Sequence, residues 1–152
     1  MFYETATNDH GLPHDPFKSC IVPRPIGWVS TVDRDGVVNL APYSFFNGVA
    51  SEPPMVMFAS NGRQPHGVKD TVTNCESTGE FVCNLATWNL RGEMNQTSAP
   101  FSPEIDEIKA VGLGIGKSTL VKPPRVLDCP IHMECKHYKT IELPCDRDDH
   151  RN

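Results

Sequence analysis

Hydrophobic and polar positions along the chain fall into short runs separated by Gly, Pro, Asn and Asp, the pattern of a protein built mainly from β-strands. "IGWVSTV" (Ile26–Val32) is rich in β-branched and aromatic residues and reads as a strand. "DRDG" (Asp33–Gly36) follows as a turn, with Gly where positive φ costs little. Val37–Ala50 resumes strand character, and Pro42 is expected to interrupt its ladder. Glu52–Pro54 is a further break. Met55–Ser60 is an apolar run long enough for a buried strand and too short for a helix. Asn61–Gly67 reads as a loop. Lys69–Thr78 reads as a short helix, capped by Asp70 or Thr71 and ended by Gly79. Glu80–Thr87 is a strand, Trp88–Ala99 a short helix, and Ile131–Leu143 the last strand. Short β-runs with few helices predict a single, mainly β domain: an antiparallel barrel or sandwich.

Composition narrows the function classes. The chain has 152 residues, 38% hydrophobic and 22% charged, which is ordinary for a globular domain. Its net charge of -5, without a basic stripe, argues against a nucleic-acid partner. The polar start "MFYETATNDHGLPHDP" has no apolar core of a signal peptide. No apolar run approaches the roughly 20 residues of a membrane span. The six cysteines (Cys20, Cys75, Cys83, Cys129, Cys135 and Cys145) include no C-x-x-C pair, so reduced thiols in a cytoplasmic protein are expected.

Two stretches imitate known sites. "CPIHMECKH" offers Cys129, His132, Cys135 and His137, a possible zinc set. Strand alternation, however, turns His132 away from Cys135 and His137. Six residues at strand rise would also carry Cys129 about 20 Å from Cys135. A half-buried strand is the expectation. "VGLGIGKST" (Val111–Thr119) resembles a phosphate-binding loop, which requires G-x-x-x-x-G-K-[ST] between a strand and a helix. Counting back from Gly116 reaches Val111 where Gly is required, and "LVKPPRV" cannot begin a helix. A surface loop with Lys117 in solvent is expected there.

A better anion site lies at "SNGRQPHGVKDT" (Ser60–Thr71), which leads from a strand into a helix start. The first turn of a helix presents unpaired N–H groups and a positive dipole end. Ser60 and Thr71 add hydroxyls, and Arg63 and Lys69 add charge. On these residues alone, a capped surface helix with solvated charges is the simpler reading.

The longer pattern changes that balance. "RPIGWVST", the D-x-D-G turn, "NLAPYSFFN", "PPMVMFAS", "KDT", "GEFVCNLAT", "VKPPRV" and "ECKHYKTIELP" follow one another at a spacing that resembles the flavin reductase-like family over nearly the whole chain. The resemblance implies an antiparallel split β-barrel with a few short helices, a homodimer, and FMN near the subunit seam. It implies that Ser60, Arg63, Lys69, the backbone N–H of Asp70, and Thr71 hold the phosphate. Asn39, Ala41, Pro42, Tyr43 and Ser44 are implied to border the isoalloxazine, with Asn84 and Leu85 lining the ribityl or ring. Trp28 is expected in the core, and His66 is the one histidine of interest. The implied activity is an NAD(P)H:flavin oxidoreductase, with FMN accepting hydride from NADH or NADPH and no side-chain acid or base required. Reduced flavin would pass to a partner monooxygenase or another acceptor. An FMN-binding electron carrier without pyridine-nucleotide turnover is the alternative, and an impaired remnant a further one. "GLGIG" lacks the dinucleotide fingerprint, so no separate nucleotide domain is expected. Such proteins usually continue past "TIELP" with another strand, whereas "CDRDDHRN" stops at Asn152. The C-terminal barrel elements are therefore expected to be missing.

Overall fold

The computed structural model describes residues 2–62, 64, 65 and 67–144. At its centre is β1 (Gly27–Val32), all six residues of which are buried. A strand covered on both faces must have neighbours on both edges. Here β2 (Val38–Tyr43), β1, β5 (Glu80–Asn84) and β8 (His132–Lys136) form an antiparallel sheet in that order. A hairpin of β3 (Phe46–Ser51) and β4 (Pro54–Phe58) stands apart from it, as does a ribbon of β6 (Ile115–Gly116) and β7 (Arg125–Val126). The helices are short: α1 (Pro16–Cys20), α2 (Asp70–Thr78), α3 (Arg91–Gln96) and α4 (Glu107–Ala110), with a 3-10 turn at Trp88–Leu90. The expected mainly β, antiparallel architecture is the one found.

Period-two alternation divides the sheet into two faces. The register sets Trp28 opposite Pro42 and Asn84, and Ser30 opposite Leu40 and Val82, all on the first face. Trp28, Leu40, Ile108, Val126 and Cys129 form its core, with Leu90 and Met94 packed against it. The second face carries Val29 with Ala41 and Cys83, and Thr31 with Asn39. Val29, Tyr43, Cys75, Phe81 and Cys83 make its core, closed partly by Phe46, Val56 and Phe58 of the hairpin. Gly27 permits that closure: a Cβ there would lie 2.5 Å from the Phe46 ring.

Several expectations are corrected. Pro42 does not interrupt the ladder, because β2 runs through it to Tyr43, paired with Gly27. The reason is edge position. Leu40 N–H points away from β1 to the Glu107 carboxylate, so two residues on the backbone of Pro42 faces outward too, and its missing N–H removes no ladder bond. The break falls instead at Ser44 and Phe45, between β2 and β3. Asp70 and Thr71 do not cap α2; its N-cap is Lys69, without a side-chain cap, while Gly79 ends it at φ 76° as expected. β5 is shorter than Glu80–Thr87, and the last strand covers only His132–Lys136. Glu80 lies opposite Lys136, and Gly79 takes one more bond from His137 N (2.8 Å) before α2 removes the partner. The Trp88–Ala99 helix is split between the 3-10 turn and α3. α1, α4 and the β6–β7 ribbon were not anticipated.

The two imitations also resolve. His132 Nδ1 meets Asn84 Oδ1 (3.0 Å) on the first face, whereas Cys135 packs against the second-face core. In "VGLGIGKST", Lys117 is exposed, and the N–H groups that resemble a phosphate cradle hold a carboxylate of this chain. Thr119 N donates to Glu134 Oε1 and Oε2 (2.9 and 3.0 Å), and Leu120 N donates to Oε2 (2.5 Å). These donors hold the Glu134 carboxyl below its usual pKa.

Candidate functional site

The site grows from the start of α2. Lys69 O accepts from Val72 N (2.9 Å) and Thr73 N (3.2 Å). Asp70 and Thr71, ahead of those donors, have no intrahelical acceptor for their N–H groups. Lys69 as N-cap makes no side-chain cap hydrogen bond, and the positive dipole end of the helix favours an anion there.

Side chains from β2 close around it. Thr71 is 1% exposed, and its Oγ1 accepts from Asn39 Nδ2 (2.7 Å), which pins α2 to β2. Accepting there leaves the Thr71 hydroxyl free to donate its own proton. Asn39 and Asn74 both also donate to Thr31 Oγ1 (3.3 and 3.1 Å). Tyr43 is 4% exposed, and burial pushes its phenol up to about 12. Its hydroxyl lies beside Thr71 and Ser60, yet among the described residues no hydrogen bond reaches it with acceptable geometry. A buried, unpartnered hydroxyl costs about 1–3 kcal/mol, so its persistence beside an open helix start points to a ligand. Lys69 Nζ stands 5.7 Å from the Tyr43 ring centroid. Burial, and then the Lys18 charge, lower the Lys69 pKa.

The structure therefore gathers Asn39, Tyr43, Ser60, Lys69, Asp70 and Thr71 at one place. A phosphate fits this set: one ammonium, hydroxyls of Ser60, Thr71 and Tyr43, and N–H groups of the first helical turn. Arg63 and His66 lie outside the described residues. Ala41 shares the face with Asn39 and Tyr43 and packs on the second-face core. Ser44 is exposed in the turn that follows. Pro42 sits on the first face, and Leu85, 37% exposed, donates its N–H to Ile131 O (3.0 Å). The Asn84 side chain is occupied within the protein. Its Nδ2 donates to Trp28 O (3.0 Å) and Ser30 Oγ (3.2 Å). Its Oδ1 accepts from Val126 N (3.0 Å) and meets His132 Nδ1, so the amide is fully engaged inside the first face. Trp28 is core as expected, fully buried, with Nε1 donating to Thr97 Oγ1 (2.9 Å).

A cavity of about 660 Å³ adjoins the cluster. It lies between β4, α2 and β8, lined by Val56, Phe58, Val72, Cys75 and Phe81 among others, and meets the cluster at Ser60. Asn39, Ala41 and Lys69 do not line it, so the cavity and the anion cluster are neighbours, not one site.

The model of the flavin reductase like domain matches residues 19–150. The chain belongs to that family. An uncharacterized protein of Aquifex aeolicus is 44% identical over 123 residues, covering 81% of this chain and 63% of its own length. Nitrilotriacetate monooxygenase component B from Bacillus cereus superposes with a TM-score of 0.83 at 30% identity, over 99% of this chain and 76% of that one. The 2-nitrobenzoate 2-nitroreductase NbaA of Pseudomonas fluorescens gives 0.80 at 28%, over 99% and 71%. The chain spans 56 to 63% of the length of the first three curated relatives. Its fold is that of split-barrel flavin reductases. Among the described residues, no helix is long and apolar enough to cross a membrane.

Two charged groups near the site were missed by sequence reasoning. Lys18 reaches the neighbourhood of Lys69 from α1. Glu107, 5% exposed on α4, accepts the outward Leu40 N–H at the edge of β2 (2.9 Å), and burial raises its carboxyl to about 7. No local motif marks either residue, since each approaches through tertiary packing.

Proposed function

We propose that this protein is an FMN-binding NAD(P)H:flavin oxidoreductase that acts as a homodimer and delivers reduced flavin to a partner oxygenase or another acceptor. The observation that carries the reading is the gathering of Lys69, the Thr71 and Ser60 hydroxyls and the buried Tyr43 hydroxyl, unpartnered among the described residues, at the start of α2. Family membership and the likeness to a monooxygenase component support it.

Each residue then has a physical task. Lys69, Ser60, Thr71 and the first N–H groups of α2 hold the phosphate, with Arg63 as a further cation. The Asp70 carboxylate would repel a phosphate, so Asp70 contributes its N–H. Asn39 holds α2 against β2 and keeps the N–H groups aimed. Ala41, Pro42, Tyr43 and Ser44 supply the border along which a flat ring lies, and the outward backbone at Pro42 offers it an acceptor. Leu85 lies at the rim. When bound, the flavin supplies hydride acceptance from a reduced pyridine nucleotide. The protein's contribution is proximity: one open ring face and a co-substrate held beside it.

The test is a visible spectrum of the purified, flavin-loaded protein before and after anaerobic addition of NADH and of NADPH. Bleaching of the flavin band with either supports the reductase. Retained flavin that neither nucleotide bleaches identifies an electron carrier instead. Lys69→Ala should weaken FMN by about tenfold and leave riboflavin nearly unchanged, because a lost charge-assisted contact costs about 1.5–3 kcal/mol and only FMN carries the phosphate. Equal loss for the two ligands places the phosphate elsewhere.

A further inference from the structure

Three thiols converge on the second face, and the flavin reading uses none of them. Cys75 on α2 and Cys83 on β5 belong to the second-face core, and Cys135 on β8 packs against it. The register explains the meeting. Phe81 lies opposite Cys135 and Cys83 opposite Met133, so Cys83 and Cys135 are diagonal neighbours on adjacent strands, and both side chains fall on one face.

The three thiols differ in access and in acidity. Cys75 and Cys135 line the cavity of about 660 Å³, and Cys83 is fully buried. Cys135 is half-buried, whereas Cys75 is buried. Cys135 Sγ donates to Met133 O (3.4 Å), which fixes the side chain in place. A hydrogen bond from Cys83 lowers the Cys135 pKa, and burial opposes it. Burial pushes the Cys75 thiol up to about 12. The thiolate is the nucleophilic form. Of the two thiols that face the cavity, Cys135 is therefore the one that meets a small oxidant in reactive form.

We propose that Cys135 is an oxidation site for hydrogen peroxide entering the second-face cavity, and that its product is a sulfenic acid. The Cys135 sulfur attacks one peroxide oxygen and the O–O bond breaks. The other oxygen takes up the thiol proton and leaves as water, so sulfur loses the two electrons that the peroxide gains. The strand geometry decides against a disulfide. Diagonal neighbours lie about 7–8 Å apart between Cα atoms, beyond the roughly 4.4–6.8 Å of a disulfide. Cys83 is thus a positioning residue, which hydrogen-bonds Cys135 without bridging to it. The flavin reading supplies a source of oxidant: a reduced flavin that passes two electrons and two protons to dioxygen forms hydrogen peroxide, and the cavity meets the flavin cluster at Ser60. That source rests on the proposed function, and the site itself does not.

The experiment adds hydrogen peroxide to the ligand-free wild-type protein and to Cys83→Ala and Cys83→Ser, traps sulfenic acid with a 1,3-diketone, and maps the adducts by peptide mass spectrometry. Cys75 controls for access, since it lines the same cavity, and Cys20 for exposure, since it is exposed on α1. Trapping is expected at Cys135 about tenfold faster than at Cys75 or Cys20, the change that one unit of thiol pKa makes in thiolate fraction. Cys83→Ala should slow it by about tenfold, and Cys83→Ser, which keeps a donor, should restore it. If Cys83→Ala fails to fold, the comparison within the wild-type protein decides. Cys135 reacting no faster than Cys20 overturns the proposal, as does a Cys83–Cys135 disulfide as the product. Because the peroxide is added, the two readings separate: a protein that binds no flavin but is still trapped selectively at Cys135 keeps the site and loses the functional reading.

Discussion

The two faces of the central sheet are built from the same strands and end in opposite states. On the first face every polar group described has a partner: the Asn84 amide serves four atoms, Trp28 Nε1 reaches Thr97, and Ser30 Oγ donates to Pro124 O (2.6 Å). On the second face a cavity stays open, Tyr43 OH has no partner among the described residues, and Lys69 is half-buried without a described carboxylate. A closed polar network makes a core unique, whereas an unfinished one stores free energy for a ligand to release. The difference teaches that the first face holds the fold, and it supports the proposal that the second face binds the ligand.

The comparison can be broken in four ways. The largest effect is expected at Trp28→Ala, which empties a fully buried site and removes the partner of Thr97; a loss of about 3–5 kcal/mol in denaturant unfolding is expected. A loss below about 1 kcal/mol would show that the first face is not the stabilising one. Asn84→Leu comes next, because it strands several buried donors and acceptors; about 3 kcal/mol should be lost, again read by denaturant unfolding. If FMN affinity fell while stability held, Asn84 would be a ligand contact after all.

The third test lies at the edge of β2, where the faces meet. Burial raises the Glu107 carboxyl from 4.5 to about 7. Between those values the unfolded chain releases the proton and the folded chain keeps it. Stability from this group is therefore full below pH 4.5 and lost as pH rises toward 7, by on the order of 3 kcal/mol. Glu107→Gln keeps an oxygen for Leu40 N–H and should flatten that part of the stability–pH profile. An unchanged slope in the variant would remove Glu107 as its source.

The smallest effect, and the sharpest for the comparison, is Tyr43→Phe. Removing an unpartnered buried hydroxyl should leave the ligand-free protein unchanged or about 1 kcal/mol more stable, while weakening FMN. Thermal unfolding with and without FMN reads both. A destabilised ligand-free protein would mean that the hydroxyl has a partner in solution and that the second face is as complete as the first.

How much of this was legible in the residues depends on whether the signal is local. β1, the Asp33–Gly36 turn and the end of α2 at Gly79 were readable, because alternation, turn chemistry and a left-handed glycine act within a few residues. The fate of Pro42 was not, because whether a proline breaks a ladder depends on which edge its strand occupies. The extent of β8 was not, because its partner ends where α2 begins. Asn84 read as a ligand residue in "CNLAT", and only folding shows that β7 and β8 both meet its Oδ1 while β1 takes its Nδ2. The sequence alone thus determined the strand periods and the turns, which local sterics carry, and a family resemblance that the domain match bears out. Only the tertiary structure decided which side of the sheet is finished, because pairing a buried polar group depends on residues far along the chain that packing alone brings near.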